Sequence, residues 1–531
     1  MVVIRTNGEA LRECFGNDWN RTIQDFSRVI GFSFEGEDKT DIKIELNPDR
    51  ADLYSVESIH NQLEIFARGV HREGRFLSGN LKTTIKEVAS RPFFIAFETD
   101  GISQFFHGNR LCSDFLEFSD RVSESVGKAR RKFAIGVHDR EKVIGEISYS
   151  SISKDETMTT YDGLTGKISD LLNEHEKGIK YQALNSLNKV FAVSDESGIM
   201  SVPPFFNSYR TRTTSETKKL LVDITATSQQ GLDLGFRLMA GYFLSKGIDV
   251  TIPASFSNYA GMLNSKKIEV SDKRIRKMTG LGKLDKDEIK KSLSKMGISY
   301  SNGQCKVPLG RVDLMGEADI IEDFIKGYGI NKIEEKALNN NFMGTENEMN
   351  KASNSLRNIM VSLGFQEVKN FVLGDSSSKH QFFKVNNPKS IEFSKIRENL
   401  FQSVLSSLEK NKAEPFPQNI FEVGDSIDTS GKQKTLMACI MSGNSASYDA
   451  MKGVLEAILR SVEIENLSIR ETETEELIRG RAGEIMIGDK PKSAGLIGEV
   501  DPIIIDKFKI PFPATYLELN LEDIISKARA I

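Results

Sequence analysis

Five acidic side chains, Asp313, Glu317, Asp319, Glu322 and Asp323, crowd into the stretch VPLGRVDLMGEADIIEDFIKGYGI that runs from 307 to 330. Its pattern predicts a strand over Val307–Leu314 and a short helix over Ala318–Lys326, stopped by Gly327 and Gly329. In that helix Asp319, Glu322 and Asp323 stand at i, i+3 and i+4 and share one face, while Ile320, Ile321, Phe324 and Ile325 supply the apolar stripe. Asp313, at the strand end, can point to the same place. Four converging carboxylates repel one another unless a cation neutralises them, and a highly charged all-oxygen set suits Mg²⁺. The same acids also read as a first helical turn that favours the helix dipole, so spacing alone leaves both readings open.

Three further segments carry groups able to do chemistry. RRKFAIGVHDRE (130–141) sets an exposed-looking His138–Asp139 pair after an apolar strand, which invites an acid–base reading. Neighbours on a strand point to opposite faces and no GxSxG nucleophile motif follows, so a structural or turn role for His138 is the better reading. In SVPPFFNS (201–208) a proline pair stiffens a loop and fixes its hydroxyl and amide groups. KKLLVDITATSQQGL (218–232) reads as a buried strand ending in Asp223, Thr225 and Thr227, followed by a helix from about Ser228. Polar groups at a strand end can hydrogen-bond a small ligand, although hydroxyls at a helix start also serve as caps.

The elements that must position these groups follow from periodicity. Ile42, Ile44 and Leu46 alternate as a strand, Asn47-Pro48 turns the chain, and Ser55 with Ser58 opens a helix carrying Ile59, Leu63 and Phe66. NPDRADL reads as a turn whose acids cap that helix. Between 264 and 333 the expected order is strand (Lys267–Val270), helix (Asp272–Thr279), Gly turn, helix (Asp285–Met296), strand pair and the acidic helix. Its two short helices resemble helix-turn-helix geometry, yet DKDEIKKSLSKMG shows mixed charge and no base-reading face. EEKALNNNFMGTENEMNKASNS (334–355) reads as a polar connection. A helix over Tyr448–Val462 and strands at PQNIFEVGDSI and ATYLELNL fit an antiparallel sheet flanked by helices. Neither GxxxxGK[ST] nor a strand-placed GxGxxG occurs.

At 531 residues the chain calls for several domains, and 39% hydrophobic with 27% charged residues is the composition of folded soluble proteins. A net charge of −4 excludes a globally basic nucleic-acid binder, so any RNA contact must use local Lys/Arg patches. Cys14, Cys112, Cys305 and Cys439 lie too far apart in sequence for a CxxC metal site and give no dense disulfide framework, which fits a reducing cytoplasm. The N-terminus lacks an apolar signal core and no run of about 18 apolar residues occurs, so neither secretion nor membrane spanning is expected.

IELNPDRADLYSVE, KFAIGVHDREKV, SVPPFFNSYRTRTTSET with DITAT, RVDLMGEADIIEDFIKGYG, and NPKSIEFSKIRENLFQSVL with NIFEVGD appear in the order found in the beta subunits of archaeal and eukaryotic-type phenylalanine-tRNA synthetases, which the chain resembles over nearly its whole length. That resemblance implies an α+β, multidomain fold. Its parts would be an N-terminal domain (1–88), a tRNA-editing-type α/β domain (89–255), a small B5-like, helix-turn-helix-like metal module (264–340) and a class II synthetase-like antiparallel sheet without catalytic residues (346–531). It also implies an (αβ)₂ heterotetramer acting on tRNA(Phe), in which the alpha subunit binds ATP and phenylalanine. Asp313, Asp319, Glu322 and Asp323 match family positions that hold Mg²⁺ near the alpha subunit, and Ser201, Asp223 and Thr225 match a pocket that hydrolyses mischarged tyrosyl-tRNA. Arg397 matches the second class II motif, whereas ATYLELNL carries no Gly-rich segment ending in Arg to clamp ATP. No oligonucleotide-binding insert or C-terminal anticodon module is seen, which suits the short archaeal type. A non-catalytic tRNA-binding or interaction paralogue is the alternative.

Overall fold

The computed structural model describes residues 2–35, 42–69, 71–86, 88, 90–100, 110–184, 189–254, 260–337, 343–374, 383–428, 430–488 and 491–528, the side chains of 110–113 and 260 excepted. The architecture is mixed α+β, in two units, Met1–Ala337 and Leu338–Ile531.

In the first unit, Ile42–Leu46 lies between Val2–Thr6 and Ser33–Glu35 in an antiparallel sheet, and its alternation buries Ile42, Ile44 and Leu46. Ser55 accepts a hydrogen bond from Ser58 N at 3.1 Å and so starts the helix Val56–Arg68, which Gly69 ends in the left-handed conformation. The acids of NPDRADL do not cap it. Asp52 instead pairs with the buried Arg50 at 2.8 Å.

Two five-stranded sheets follow. One orders Phe206–Asn207, Gly198–Val202, Lys189–Asp195, Ile147–Ser153 and Thr83–Lys86. The other orders Phe76–Gly79, Val250–Pro253, Phe93–Thr99, Leu220–Ala226 and Phe133–Asp139, so Leu220–Ala226 sits between two antiparallel neighbours and is buried throughout. The helix Gln229–Leu244, capped by Ser228, covers one face of this second sheet: a Cβ on Gly235 would touch Ile224 at 3.3 Å. Ile224 therefore looks toward the helix, and the pleat turns Asp223 and Thr225 the opposite way. There the ring of Phe94, opposite Thr225, stacks on Tyr149 of the first sheet at 4.9 Å.

The end of that helix buries a lysine. Lys246 Nζ lies 3.5 Å from the centre of the Tyr242 ring and within 3.4 Å of Ser58 Oγ. Burial pushes its pKa down to about 8, against the pull of Asp114, Glu57 and Asp52. An unfolded lysine titrates near 10.4, so between these values the unfolded chain binds more protons, and stability from this group rises with pH. Relative to Lys246→Met, the parent should gain about 1.4 kcal/mol per pH unit between pH 8.5 and 10 in denaturant titrations. A pH-independent difference would mean that Lys246 keeps its ordinary affinity for protons.

A compact module comes next: strands Lys267–Glu269, Gln304–Lys306 and Ser299–Ser301, with helices Asp272–Thr279, Lys286–Ser294 and Glu317–Tyr328. The last helix passes through Gly327, where a Cβ would meet Ser292 O at 2.0 Å, and ends only at Gly329 (φ 102°). Gly327 is thus a close-approach residue between helices rather than a stop signal. The predicted strand Val307–Leu314 is absent, and tight turns replace it, with Arg311 N donating to Pro308 O and Val312 N to Gly310 O, both at 3.0 Å. The backbone at Gly310 packs on Gly241 of the helix Gln229–Leu244, whose added Cβ would lie 2.5 Å from Gly310 N.

The second unit holds a seven-stranded sheet in the order Gln366–Glu367, Gln418–Ile427, Gln433–Ser442, Ala514–Asn520, Lys492–Val500, Leu477–Ile487 and Leu467–Glu471, antiparallel except for the first pair. Period-two alternation sends Met437 and Cys439 into one core and Leu436, Ala438 and Ile440 into the other. Asn347 caps the helix Glu348–Ser362, so the polar connection is shorter than its composition suggests.

Candidate functional site

Asp223 and Thr225 lie within the strand Leu220–Ala226, 1% and 0% exposed, opposite Gly136 and Ala134 on one neighbour and Ala96 and Phe94 on the other. His138 stands in the same inward row. It was expected to be exposed beyond the strand, yet it is 0% exposed and lies inside Phe133–Asp139. Its Nε2 is 2.8 Å from Asp223 Oδ2 and its Nδ1 2.8 Å from Thr211 Oγ1. A carboxylate only accepts, so the imidazole Nε2–H is the donor to Asp223. Asp139 turns the other way and accepts from Thr217 Oγ1 at 2.9 Å, so His138 and Asp139 do not act on each other. Gly136 makes the His–Asp contact possible, because a Cβ there would sit 2.0 Å from Asp223 Oδ2.

The facing sheet contributes Ser201, in a cross-strand row with Val193 and Tyr149. Ser201 Oγ, Asp223 Oδ1 and Thr225 Oγ1 are all buried without a hydrogen-bond partner. Leaving such groups unpaired costs about 1–3 kcal/mol each, which native interiors tolerate where a ligand or water completes the set. Burial raises the Tyr149 phenol above its usual range, Arg91 opposes, and the Asp223 charge adds to the rise. SVPPFFNS forms the wall beside Ser201, with Phe205 and Phe206 buried and Pro204 O held by Arg130 Nη1 at 2.9 Å. Thr227 stays outside, bonded to Lys132 O. Sequence reasoning missed Thr211, whereas a lone Gly136 inside a β-run was a legible sign of close approach.

The acidic helix is arranged differently from its sequence pattern. Asp319 accepts from Met315 N at 2.7 Å and Gly316 N at 2.8 Å, capping the helix. Glu322, its side chain 64% exposed, pairs with Lys326. Asp313 and Asp323 both turn to the buried Arg311: Asp313 takes Nε at 3.0 Å and Nη2 at 2.8 Å, and Asp323 Oδ2 lies 2.7 Å from Nη2 as an ion pair without hydrogen-bond alignment. Burial disfavours the Arg311 charge, but Asp323, Asp313 and then Asp52 outweigh it and raise its pKa. Likewise burial opposes the Asp313 charge, and Arg311 with Arg50 overcomes it and holds that carboxyl below its usual range. NPDRADL and RVDLMGEADIIED thus meet in one buried network. Among the described residues no three His, Cys, Asp or Glu side chains are grouped to hold a metal ion. Two of the four acids already have a cation in Arg311 and a third has backbone N–H donors, so this donor set does not fit a Mg²⁺ held by this chain alone.

In the second unit Arg397 is 6% exposed and committed: Nη1 reaches Glu422 Oε1 at 2.8 Å and Ser403 Oγ at 3.2 Å, and Nε donates to Asp425 O at 2.8 Å. Its Nη2 is buried without a hydrogen-bond partner, and at that burial the guanidinium is not presented to a phosphate at the surface. On the strand Ala514–Asn520 the Tyr516 hydroxyl donates to Glu518 at 2.6 Å.

The family described as "Phenylalanyl tRNA synthetase beta chain CLM domain" matches residues 334–521, and "tRNA synthetase B5 domain" matches 268–330. A fragment from Pyrococcus horikoshii, an N-terminal piece of the phenylalanyl-tRNA synthetase beta-subunit, superposes with a TM-score of 0.53 over 61% of this chain and 99% of its own, at 23% identity, a likeness of fold. The phenylalanine–tRNA ligase beta subunit of Archaeoglobus fulgidus is 28% identical over 98% of both chains. Those of Thermoplasma volcanium and Thermoplasma acidophilum are each 34% identical over 99% of this chain, covering 100% and 98% of their own lengths. Matched end to end at that level, the chain belongs to the phenylalanine–tRNA ligase beta subunit family.

Proposed function

We propose that this chain works with an alpha subunit, as an (αβ)₂ assembly, in the ATP-dependent attachment of phenylalanine to tRNA(Phe), and that its own pocket hydrolyses mischarged tyrosyl-tRNA. The single observation that carries the hydrolytic part is the buried trio of unpaired polar atoms on Ser201, Asp223 and Thr225, with Asp223 fixed by His138. Asp223 Oδ1 and the Thr225 hydroxyl hold the amino acid, SVPPFFNS walls it, and a polar partner for the phenol favours tyrosine over phenylalanine, which would leave that partner unpaired. His138 bonds Asp223 and Thr211 and leaves Ser201 Oγ without a partner, so the three form no nucleophile relay; water attacks the ester carbon directly and the terminal ribose hydroxyl departs with a proton. His138 positions Asp223. In this reading 89–255 is the editing-type domain, 264–340 the B5-like, helix-turn-helix-like module, and 346–531 a class II-like sheet that supports rather than catalyses, behind the N-terminal domain at 1–88. A reducing cytoplasm suits Cys14, Cys305 and Cys439, which are in no disulfide bond, and no described helix is long and apolar enough to cross a membrane.

Synthesis is placed on the alpha partner because Arg397 is spent on Glu422. The purified chain alone should give no phenylalanine-dependent pyrophosphate exchange, and should give it once alpha is added. Exchange by the lone chain would overturn this assignment. Stoichiometric co-purification with alpha supports the subunit reading over a stand-alone paralogue.

A Mg²⁺ at Asp313, Asp319, Glu322 and Asp323 would require Arg311 to release two carboxylates, or Glu322 to leave Lys326 and bind alongside oxygens from another chain. Titrating Mg²⁺ calorimetrically into the lone chain should therefore give no saturable site. Saturable binding that disappears in Glu322→Gln would restore the reading from sequence.

A further inference from the structure

The loop 208–213 joins the two sheets that carry Ser201 and Asp223. Ser208 N donates to Met200 O at 2.8 Å on one side, and Asp139 N donates to Thr211 O at 2.9 Å on the other. Inside, Thr211 bonds His138. Outside, Tyr209 is 41% exposed and the Arg212 guanidinium lies 3.6 Å from its ring centre. Tyr161, 38% exposed, reaches Thr213 O at 3.4 Å from the adjoining turn, where a Cβ on Gly163 would lie 4.0 Å from the Tyr209 ring. The platform is pinned rather than loose, since Lys142 Nζ also donates to Arg212 O at 2.7 Å. Arg210 spends its charge on Asp195, and the nearby Asp162 carboxylate is engaged by Thr160 and His175, leaving Arg212 as the cation presented with the rings.

We propose that Tyr209 and Arg212, with Tyr161 beside them, are the stacking platform for the unpaired 3′ end of an aminoacylated tRNA. Flat aromatic and guanidinium surfaces bind unstacked bases of single-stranded RNA, and Arg also meets its phosphates. The position fits a strict demand of the substrate: the amino acid is esterified directly to the last ribose, so whatever holds the last base must adjoin whatever holds the amino acid. Here one loop does both, since Thr211 supports the buried site and its neighbours at 209 and 212 stack outside. This rests on the hydrolytic reading of the pocket.

Single-turnover deacylation of preformed tyrosyl-tRNA(Phe), measured against concentration of the α–β complex, tests it. Tyr209→Ala should raise the half-saturating concentration about tenfold, the loss of one base–aromatic stack, with the maximal rate within about twofold of the parent. Tyr209→Phe should restore it, and Arg212→Ala, which leaves the loop's backbone contacts in place, should weaken binding in the same sense. Asp223→Ala should lower the maximal rate instead. If the parent hydrolyses tyrosyl-tRNA and all three loop variants match its concentration dependence, the platform is refuted alone. If the parent does not hydrolyse it, the hydrolytic reading falls and takes the platform with it.

Discussion

Arg311→Met should cost the first unit about 3–5 kcal/mol, the usual penalty for removing one partner of a buried ion pair and stranding the other. Here one guanidinium serves two carboxylates: Asp323 is 2% exposed, and Asp313 is shielded as well. Arg50 cannot substitute, because Asp52 holds it at 2.8 Å. The damage should extend beyond the acidic helix, since the network joins residues near 50 to the module that begins near 264. In denaturant, the transition of the first unit should move and that of the second should not. Asp313, held below its usual range, stabilises the fold above about pH 4, and this contribution is lost as pH falls through its folded value. The variant should therefore lack part of the parent's acid transition. Adding Asp323→Leu should recover part of the loss by removing a stranded charge. A midpoint shift worth less than about 0.5 kcal/mol, within the range of ordinary surface substitutions, would show that the two aspartates are solvated.

Local rules reached far along this chain. The alternation of Ile42, Ile44 and Leu46, the caps at Ser55 and Ser228, and the helix Asp272–Thr279 stand where their residue types place them. What stayed hidden depends on partners remote in sequence. The acids of RVDLMGEADIIED look like a metal site because spacing shows which side chains share a face but cannot show that Arg311, two residues from Asp313, turns inward to meet them. His138 looked exposed because its partner Asp223 lies 85 residues away on the adjacent strand. Gly327 looked like a stop because its reason, the carbonyl of Ser292, belongs to another helix. Asp223 and Thr225 were legible as candidates. That their free oxygens share a buried layer with Ser201 required both sheets.

Asp223→Ala should reduce hydrolysis of tyrosyl-tRNA by about 10²-fold or more, the scale of losing one group that positions a reactant. Asp223 is the only member of the trio with a charge, and His138 fixes one of its oxygens, leaving the other to meet the bound amino acid or the attacking water. Phenylalanine charging should stay near the parent rate, because the second unit offers no free phosphate-clamping arginine at Arg397 and synthesis proceeds on alpha. Gly136→Ala should copy the defect without touching a polar group: its Cβ would collide with Asp223 Oδ2 at 2.0 Å and displace the carboxylate from His138. A Gly136→Ala complex that folds, charges phenylalanine and still clears tyrosyl-tRNA would place the chemistry away from Asp223.

The most direct measurement is the decay of preformed tyrosyl-tRNA(Phe) on the α–β complex, followed beside that of phenylalanyl-tRNA(Phe) in parent and Asp223→Ala. Rapid loss of the tyrosyl ester by the parent, its persistence with Asp223→Ala, and a stable phenylalanyl ester in both are the predicted results. Equal clearance of tyrosyl-tRNA by parent and variant would contradict the assignment of the pocket between the two sheets.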